Sequence, residues 1–160
     1  MRTFAIALTL GVVANLPGCA TAAPAAPKYE EKLDLSLKLE KSDFATGEIT
    51  LATLTLRNVS TTAVAACVGE AKGYNISGTR KSTGRSNTVD HPGCIRRFEM
   101  SPGQAIEWTE PIEILDVGEG PGKLNAWIQV VDPNHCDKNY GCDFSHISSR
   151  FVAVTLKGVK

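Results

Sequence analysis

Residues 134–146 read NHCDKNYGCDFSH, with two cysteines, two histidines, two aspartates and two asparagines in 13 positions. Three chemistries use such atoms. Zinc would take His135, Cys136, Cys142 and His146, but these cysteines are separated by five residues, where tight zinc loops use two to four. His135 and Cys136 are also chain neighbours, whose side chains point apart on an extended backbone. Calcium would take oxygens of Asp132, Asn134, Asp137, Asn139 and Asp143, yet the glycine and terminal glutamate of an EF-hand loop fall in the wrong places. The third chemistry is a disulfide between Cys136 and Cys142. It would cinch a hairpin connection from a strand ending at Val131 to one starting near Ser149, too long to be rigid by itself, with Asp, Asn and Gly supplying turns. The disulfide is the expectation, with no metal and no cofactor; a metal-binding 132–146 loop is the alternative.

The chain carries no G-x-S-x-G, H-E-x-x-H or glycine-rich phosphate loop, so catalysis has no recognisable machinery. Asp143, Ser145 and His146 are adjacent in sequence, but a triad is an arrangement in space. A cysteine nucleophile needs a free thiolate, which pairing removes. The expectation is a protein that is not an enzyme.

What positions these residues begins with where the chain resides. MRTFAIALTLGVVANLPGCA places Arg2 ahead of an uncharged apolar run from Phe4 to Leu16, the layout of a signal peptide. The run is too short for the roughly 20 residues of a membrane-spanning helix. Leu16, Pro17, Gly18 and Cys19 resemble the lipobox of bacterial lipoproteins, which implies cleavage after residue 18 and lipidation at Cys19. Ordinary signal-peptidase cleavage near Ala20 to Ala26, discarding Cys19, is the alternative. Export follows from either. With no aspartate at position 20, the resemblance implies the outer membrane, facing the periplasm, with inner-membrane retention left open.

Export also decides how the five cysteines are counted. If Cys19 carries lipid, Cys67, Cys94, Cys136 and Cys142 form an even set in an oxidising compartment. Spacing favours Cys67 with Cys94 and Cys136 with Cys142. Loop-closure entropy assigns such clamps at most about 3.6 and about 2.4 kcal/mol respectively.

Seventeen basic and 17 acidic side chains balance in the whole chain, and loss of Arg2 with the signal leaves 16 against 17, a net −1. No global field draws the protein to nucleic acid. Residues 19–31, rich in alanine and proline, read as a tether spanning roughly 30 to 40 Å, and 32–160 as a single domain. Within it, segment 79–97 holds Arg80, Lys81, Arg85, His91, Arg96 and Arg97, whereas 107–119 holds Glu107, Glu110, Glu113, Asp116 and Glu119. The basic segment is either a contact for anionic envelope material or a solvated loop. Trp127 shares a strand phase with Asn125 and Gln129, opposite the apolar phase. It is either a partner anchor or a residue covered by a neighbouring loop.

The apolar period in the domain is two. Leu33, Leu35, Leu37 and Leu39 alternate with polar residues. Ile49 and Leu51 share one phase and Leu54 and Leu56 the other, a slip that predicts a β-bulge. Strands are also expected at 62–68, 73–78 and 94–100. Ile106, Trp108, Ile112 and Ile114 mark another strand, Leu124, Ala126, Ile128 and Val130 the next, and Val152, Val154 and Leu156 the last. Seven to nine short strands at this spacing predict an all-β, two-sheet antiparallel immunoglobulin-like sandwich.

LDLSLKLEKSDFATGEITLATLTLRNVSTTAV, MSPGQAIEW and GKLNAWIQVV resemble bacterial immunoglobulin-like domains, including the BsuPI-type proteinase-inhibitor domain. The likeness lies in a Gly-Glu turn, a leucine-x-asparagine strand end and a Pro-Gly turn, in that order. It implies the sandwich fold and, more weakly, proteinase inhibition; the cysteine-bearing segments stand outside it. Two functions follow as expectations. The first is a membrane-anchored envelope lipoprotein acting as a binding or assembly module, bound to the membrane through its N-terminal lipid and to an envelope protein or anionic envelope polymer. The second is a proteinase inhibitor.

Overall fold

A computed structural model of the chain describes residues 28–87, 93–137 and 141–158. The expected signal peptide 1–18, lipidated Cys19 and tether positions 20–27 lie outside the described residues, as does His91. Among the described residues a single helical turn at Tyr29–Glu31 precedes ten strands: β1 (Leu33–Leu39), β2 (Asp43–Ala45), β3 (Ile49–Asn58), β4 (Val64–Ser77), β5 (Ser82–Asn87), β6 (Cys94–Met100), β7 (Ala105–Glu113), β8 (Gly120–Asp137), β9 (Gly141–Ser148) and β10 (Val152–Lys157). They form two sheets. The smaller has the order β1-β3-β7; the larger runs β2-β10-β8-β4-β5, with β6 also paired to β4 and β9 to β8. The expected all-β, two-sheet sandwich forms, with every pairing antiparallel except the short parallel contact of β2 with β10.

Alternation builds the facing layers. β1 buries Leu33, Leu35 and Leu37 and turns Asp34, Ser36 and Lys38 to water. Even-numbered positions of β7 and β8 do the same with Ile112, Leu124, Ala126, Ile128 and Val130, while Val154 and Leu156 close the core from β10. Each large apolar side chain so buried contributes about 1.5 to 3 kcal/mol.

The expected bulge in β3 is absent. Its register runs without a shift from Asn58 to Ala52 against β1 and from Arg57 to Ile49 against β7. Thr50 and Ala52 occupy the buried phase instead, and Ile49 and Leu51 are left 68% and 51% exposed. The irregularity falls in β4, which merges the two strands expected at 62–68 and 73–78. From Val68 to Lys72 that strand advances four residues against two of β8, Val130 to Ile128, a bulge that lets it pair with β6 at one end and β5 at the other. The expected connection after Val131 is also corrected: β8 runs on to Asp137 and returns as β9, a hairpin in register from Trp127–Ser148 to Asp137–Gly141 with one irregularity.

Residues of the Gly-Glu, leucine-x-asparagine and Pro-Gly motifs form the corners of the sandwich. Gly47, at φ +81°, donates its N–H to Ile114 O, and Ile114 N–H returns to Glu48 O. Lys41 hydrogen-bonds the Glu48 carboxylate, and with the Ala45 N–H it holds that carboxyl below the usual range. Asn58, fully buried, donates from Nδ2 to Thr62 O and Met100 O and accepts at Oδ1 from Ser60 N–H and Oγ–H. Its backbone N–H reaches Gln104 O across the turn containing Gly103, whose φ is +77°.

Tyr29, which the sequence reading places in the tether, packs into the core of the domain. Tyr29 is 4% exposed and its hydroxyl donates to Ala65 O. Burial, with Asp132 nearby, pushes its phenol up to about 12.

Candidate functional site

Both expected disulfides are formed. Cys67–Cys94, at 2.01 Å, ties β4 to the start of β6, and Cys136–Cys142, at 2.06 Å, closes the tip of the β8–β9 hairpin. Bonded sulfurs offer zinc no thiolate, and His146 packs its ring against Trp127 and Phe144. The side chains of His135 and Asp137 lie outside the described residues. Among the described residues no three His, Cys, Asp or Glu side chains gather as a metal site.

The segregated charges face each other. Glu110, Glu113 and Asp116, on and just after β7, receive Lys72 at 2.5 Å, Arg85 at 2.6 Å and Arg80 at 2.7 Å. These partly exposed pairs are each worth about 0 to 1 kcal/mol. They bridge the side of the sandwich between the β7 edge and β4–β5, and occupy two cations expected to serve an anionic partner. Arg96, Arg97 and Lys81 have no ionic partner among the described residues, and they do not converge. Arg96 pairs in register with Val68 and Arg97 with Cys67. Lys81 sits in the turn after Ser77, roughly 30 Å further along β4 at about 3.3 Å per residue.

Next to the ion pairs, a cleft of about 390 Å³ opens between β7 and the β4–β6 ladder, lined among others by Ile95, Arg96, Ile106 and Trp108. A smaller cavity of about 170 Å³ beside it shares Lys72 and Glu110 and reaches Leu54, Tyr74, Ile112 and Trp127. Trp108 packs against the core as its phase requires. A third hollow, of about 310 Å³, joins Lys28, Tyr29 and Glu30 to Asp132, Asp143 and Phe144.

Trp127 lies on the outer face of the large sheet, in the phase opposite to the core residues of β8. That face is not a plain wet one. Asn125 and Gln129 are buried on it, because β8 is central and its neighbours' side chains lean over it. Gly73 stands beside Trp127 in register, and a Cβ there would come within 2.9 Å of the indole, so the ring lies across a strand position without a side chain. On the other side the His146 ring meets the indole edge-on at 5.0 Å, and Phe144 lies 5.3 Å beyond His146. Trp127 is half-buried, His146 is exposed and Phe144 is 51% exposed. Gln129, directly opposite His146, is 3% exposed, and its Oε1 accepts no hydrogen bond from the described residues.

Sequence reading identifies Trp127 but not Gln129, His146 and Phe144 as its companions, because the polar, turn-rich composition after Val131 reads as a loop where β9 forms. The available signal was the pair of glycines, Gly69 and Gly73, in a strand beside Gln129 and Trp127, where small residues mark a close approach.

No family model matches the chain, and no curated protein matches it in sequence. Among solved structures it is similar to the sporulation control protein Spo0M of Bacillus subtilis, at 12% identity and TM-score 0.45 over 79% of this chain. The match spans 49% of Spo0M, about half its length. The putative ApaA protein of Bordetella pertussis is similar at 13% identity and TM-score 0.44, over 78% of this chain and 93% of that one. The PapD-like domain 7 of human CEP192 is similar at 12% identity and TM-score 0.31, over 91% of this chain and 99% of the domain. Among the described residues no helix is long and apolar enough to cross a membrane.

Proposed function

We propose that the protein is a lipoprotein of the bacterial envelope, anchored through an acylated Cys19 on the periplasmic side of the outer membrane, whose sandwich is a binding module and not an enzyme. The row of Trp127, His146 and Phe144 carries this reading. Solvent-facing aromatic rings held in fixed geometry on a rigid sheet are the groups that anchor partners. The lipobox resemblance supplies the anchor, and the partner is an envelope protein or an envelope polymer. Arg97, in register with Cys67 and through it Val131, shares the outward phase of the large sheet with the row and is the cation through which an anionic polymer would add affinity, whereas Arg96 lines the cleft beside Trp108.

Chemical cross-linking in intact cells, followed by fractionation, tests the reading. The wild-type chain is expected in the membrane fraction with a cross-linked adduct, and Trp127→Ala with Phe144→Ala is expected to stay in that fraction and lose the adduct. Retention of the adduct by the double variant sinks the proposal. Proteinase inhibition ranks second, because its support is the three corner motifs, which specify the fold. Inhibition of secreted proteinases by the purified protein, lost on Cys136→Ser, would reverse that ranking.

A further inference from the structure

We infer that the free edge of β7 from Ala105 to Thr109 takes up an extended peptide of a partner protein as an added strand, whose apolar side chains fill the cleft beside Trp108. This surface is separate from the aromatic row and stands or falls independently of it.

The backbone defines the occupant. At the two ends of β7, Gln104 O accepts from Asn58 N–H and Ile114 exchanges hydrogen bonds with Gly47 and Glu48, so even-numbered positions bond toward β3. Alternation in an antiparallel ladder then turns the N–H and C=O of odd-numbered positions away from β3, and Glu113 O accepts the Tyr74 hydroxyl from that side. Among the described residues β7 has no second strand partner. Its far half is guarded: Pro111 has no N–H to offer, and the Lys72–Glu110 and Arg85–Glu113 pairs cross the gap to β4 and β5. Ala105, Glu107 and Thr109 lie outside both guards, and open edges of this kind recruit strands.

The facing sheet leaves room for that strand. Ser145, Val130, Val68 and Arg96 stand side by side in register, so the large sheet is four strands wide here, whereas the small one, β1-β3-β7, has three. Val130 belongs to the core, which gives Val68 and Arg96 the inward phase. The overhang beyond β7 is the cleft of about 390 Å³, walled by Val68, Ile95, Ile106, Trp108 and Ile128. A fourth strand beside β7 would lay alternate side chains into it. Of the charged groups at its rim, Glu110 is held by Lys72 and Glu107 accepts from the Thr55 hydroxyl, while Arg96 is exposed and has no ionic partner among the described residues. Arg96 therefore selects a carboxylate in the inward phase of the peptide. A second copy of the chain fits poorly, because the register that pairs all of Ala105, Glu107 and Thr109 with another β7 sets Glu107 against Glu107.

The probes are end-blocked heptapeptides of alternating threonine and valine, with each valine in turn replaced by aspartate. They are added to the full chain in mild detergent and followed by calorimetry and amide hydrogen exchange. In the free protein the amides of Glu107 and Thr109 should exchange fast and those of Ile106 and Trp108 slowly. At least one aspartate peptide should bind saturably, protect Glu107 and Thr109, and bind about two- to fivefold more tightly than its asparagine counterpart, a difference lost in Arg96→Gln. N-methylation of alternate peptide amides should abolish binding in one phase and leave it unchanged in the other. Thr109→Pro, which removes an N–H that β3 does not use, should abolish binding with both disulfides retained. Absence of saturable binding by every peptide overturns the inference, as does binding that survives N-methylation in both phases, or protection on β6 in place of β7. Concentration-dependent dimerisation that protects Glu107 and Thr109 without peptide also overturns it and makes a second copy the occupant. None of these outcomes bears on the cross-link that depends on Trp127 and Phe144.

Discussion

At the scale of single residues, Asn58 shows how one polar side chain fixes a corner. Its amide satisfies two carbonyls and two donors from two segments of chain, the 60–62 turn and the end of β6, a set that no apolar side chain of similar size replaces. Asn58→Ala is expected to cost about 2 to 4 kcal/mol by orphaning buried groups, seen as a fall of roughly 10 °C in Tm. A loss below about 1 kcal/mol would mean that water reaches those carbonyls. Tyr29 makes a second case, through pH. Burial and then Asp132 raise its phenol to about 12, and burial raises that of Tyr74. Between the ordinary value near 10 and the raised one, the unfolded chain has lost the proton that the folded chain keeps. Stability is therefore full below about pH 10 and declines as pH rises toward 12. Tyr29→Phe should flatten much of that decline in urea titrations at stepped pH, leaving the share of Tyr74; an unchanged slope would contradict the assignment.

At the scale of elements, what was legible depended on whether apolar residues marked the buried phase. β1 and β10 are legible because every inward position of their alternation is aliphatic, and β7 because all its inward positions but Glu110 are aliphatic or aromatic. β5 and β9 are not. The sequence of β5, STGRSN, is held by its ladder to β4 and the Arg85–Glu113 pair, and contains no apolar side chain. β9 buries Ser145 and Ile147 and turns Phe144 and His146 outward, which inverts the usual pattern and hides two of the three rings of the aromatic row. In β3, Ile49 and Leu51 suggested a phase that Thr50 and Ala52 in fact occupy, because continuous pairing on both edges outweighs the exposure of two aliphatic side chains. The hairpin changes what its disulfide must do. Cys136→Ser is expected to raise amide exchange at Asn134 to Asp143 and leave Phe144 to Ser148 protected by the β8 ladder, at a cost below about 2.4 kcal/mol. Loss of protection throughout β1 and β3 would show that the clamp supports the whole sandwich.

At the scale of the whole molecule, the buried Tyr29 holds the start of the described chain against the sandwich. If residues 19–27 form the expected tether, they span at most about 28 Å at about 3.1 Å per residue. Lys28, Tyr29 and Glu30 line one hollow with Phe144, so one end of the aromatic row lies beside the first of the described residues. An anchor at Cys19 would hold that row within one short tether of the bilayer, where a polymer close to the membrane surface would meet it. Cysteine arithmetic provides the check. Four of the five cysteines are paired, which leaves Cys19 as the one sulfur whose state reports export. Alkylation under denaturing, non-reducing conditions should label no thiol in protein extracted from membranes, because the Cys19 sulfur is then a thioether. The unprocessed chain, refolded with its disulfides, should label once, at Cys19. Cys19→Ala should abolish that label and move the protein out of the membrane fraction, with both disulfides intact. A labelled Cys19 in the membrane-extracted protein, or a Cys19→Ala variant that stays with the membrane, would place the anchor elsewhere, because a thioether sulfur cannot be alkylated as a thiol and a missing sulfur cannot carry a diacylglyceryl group.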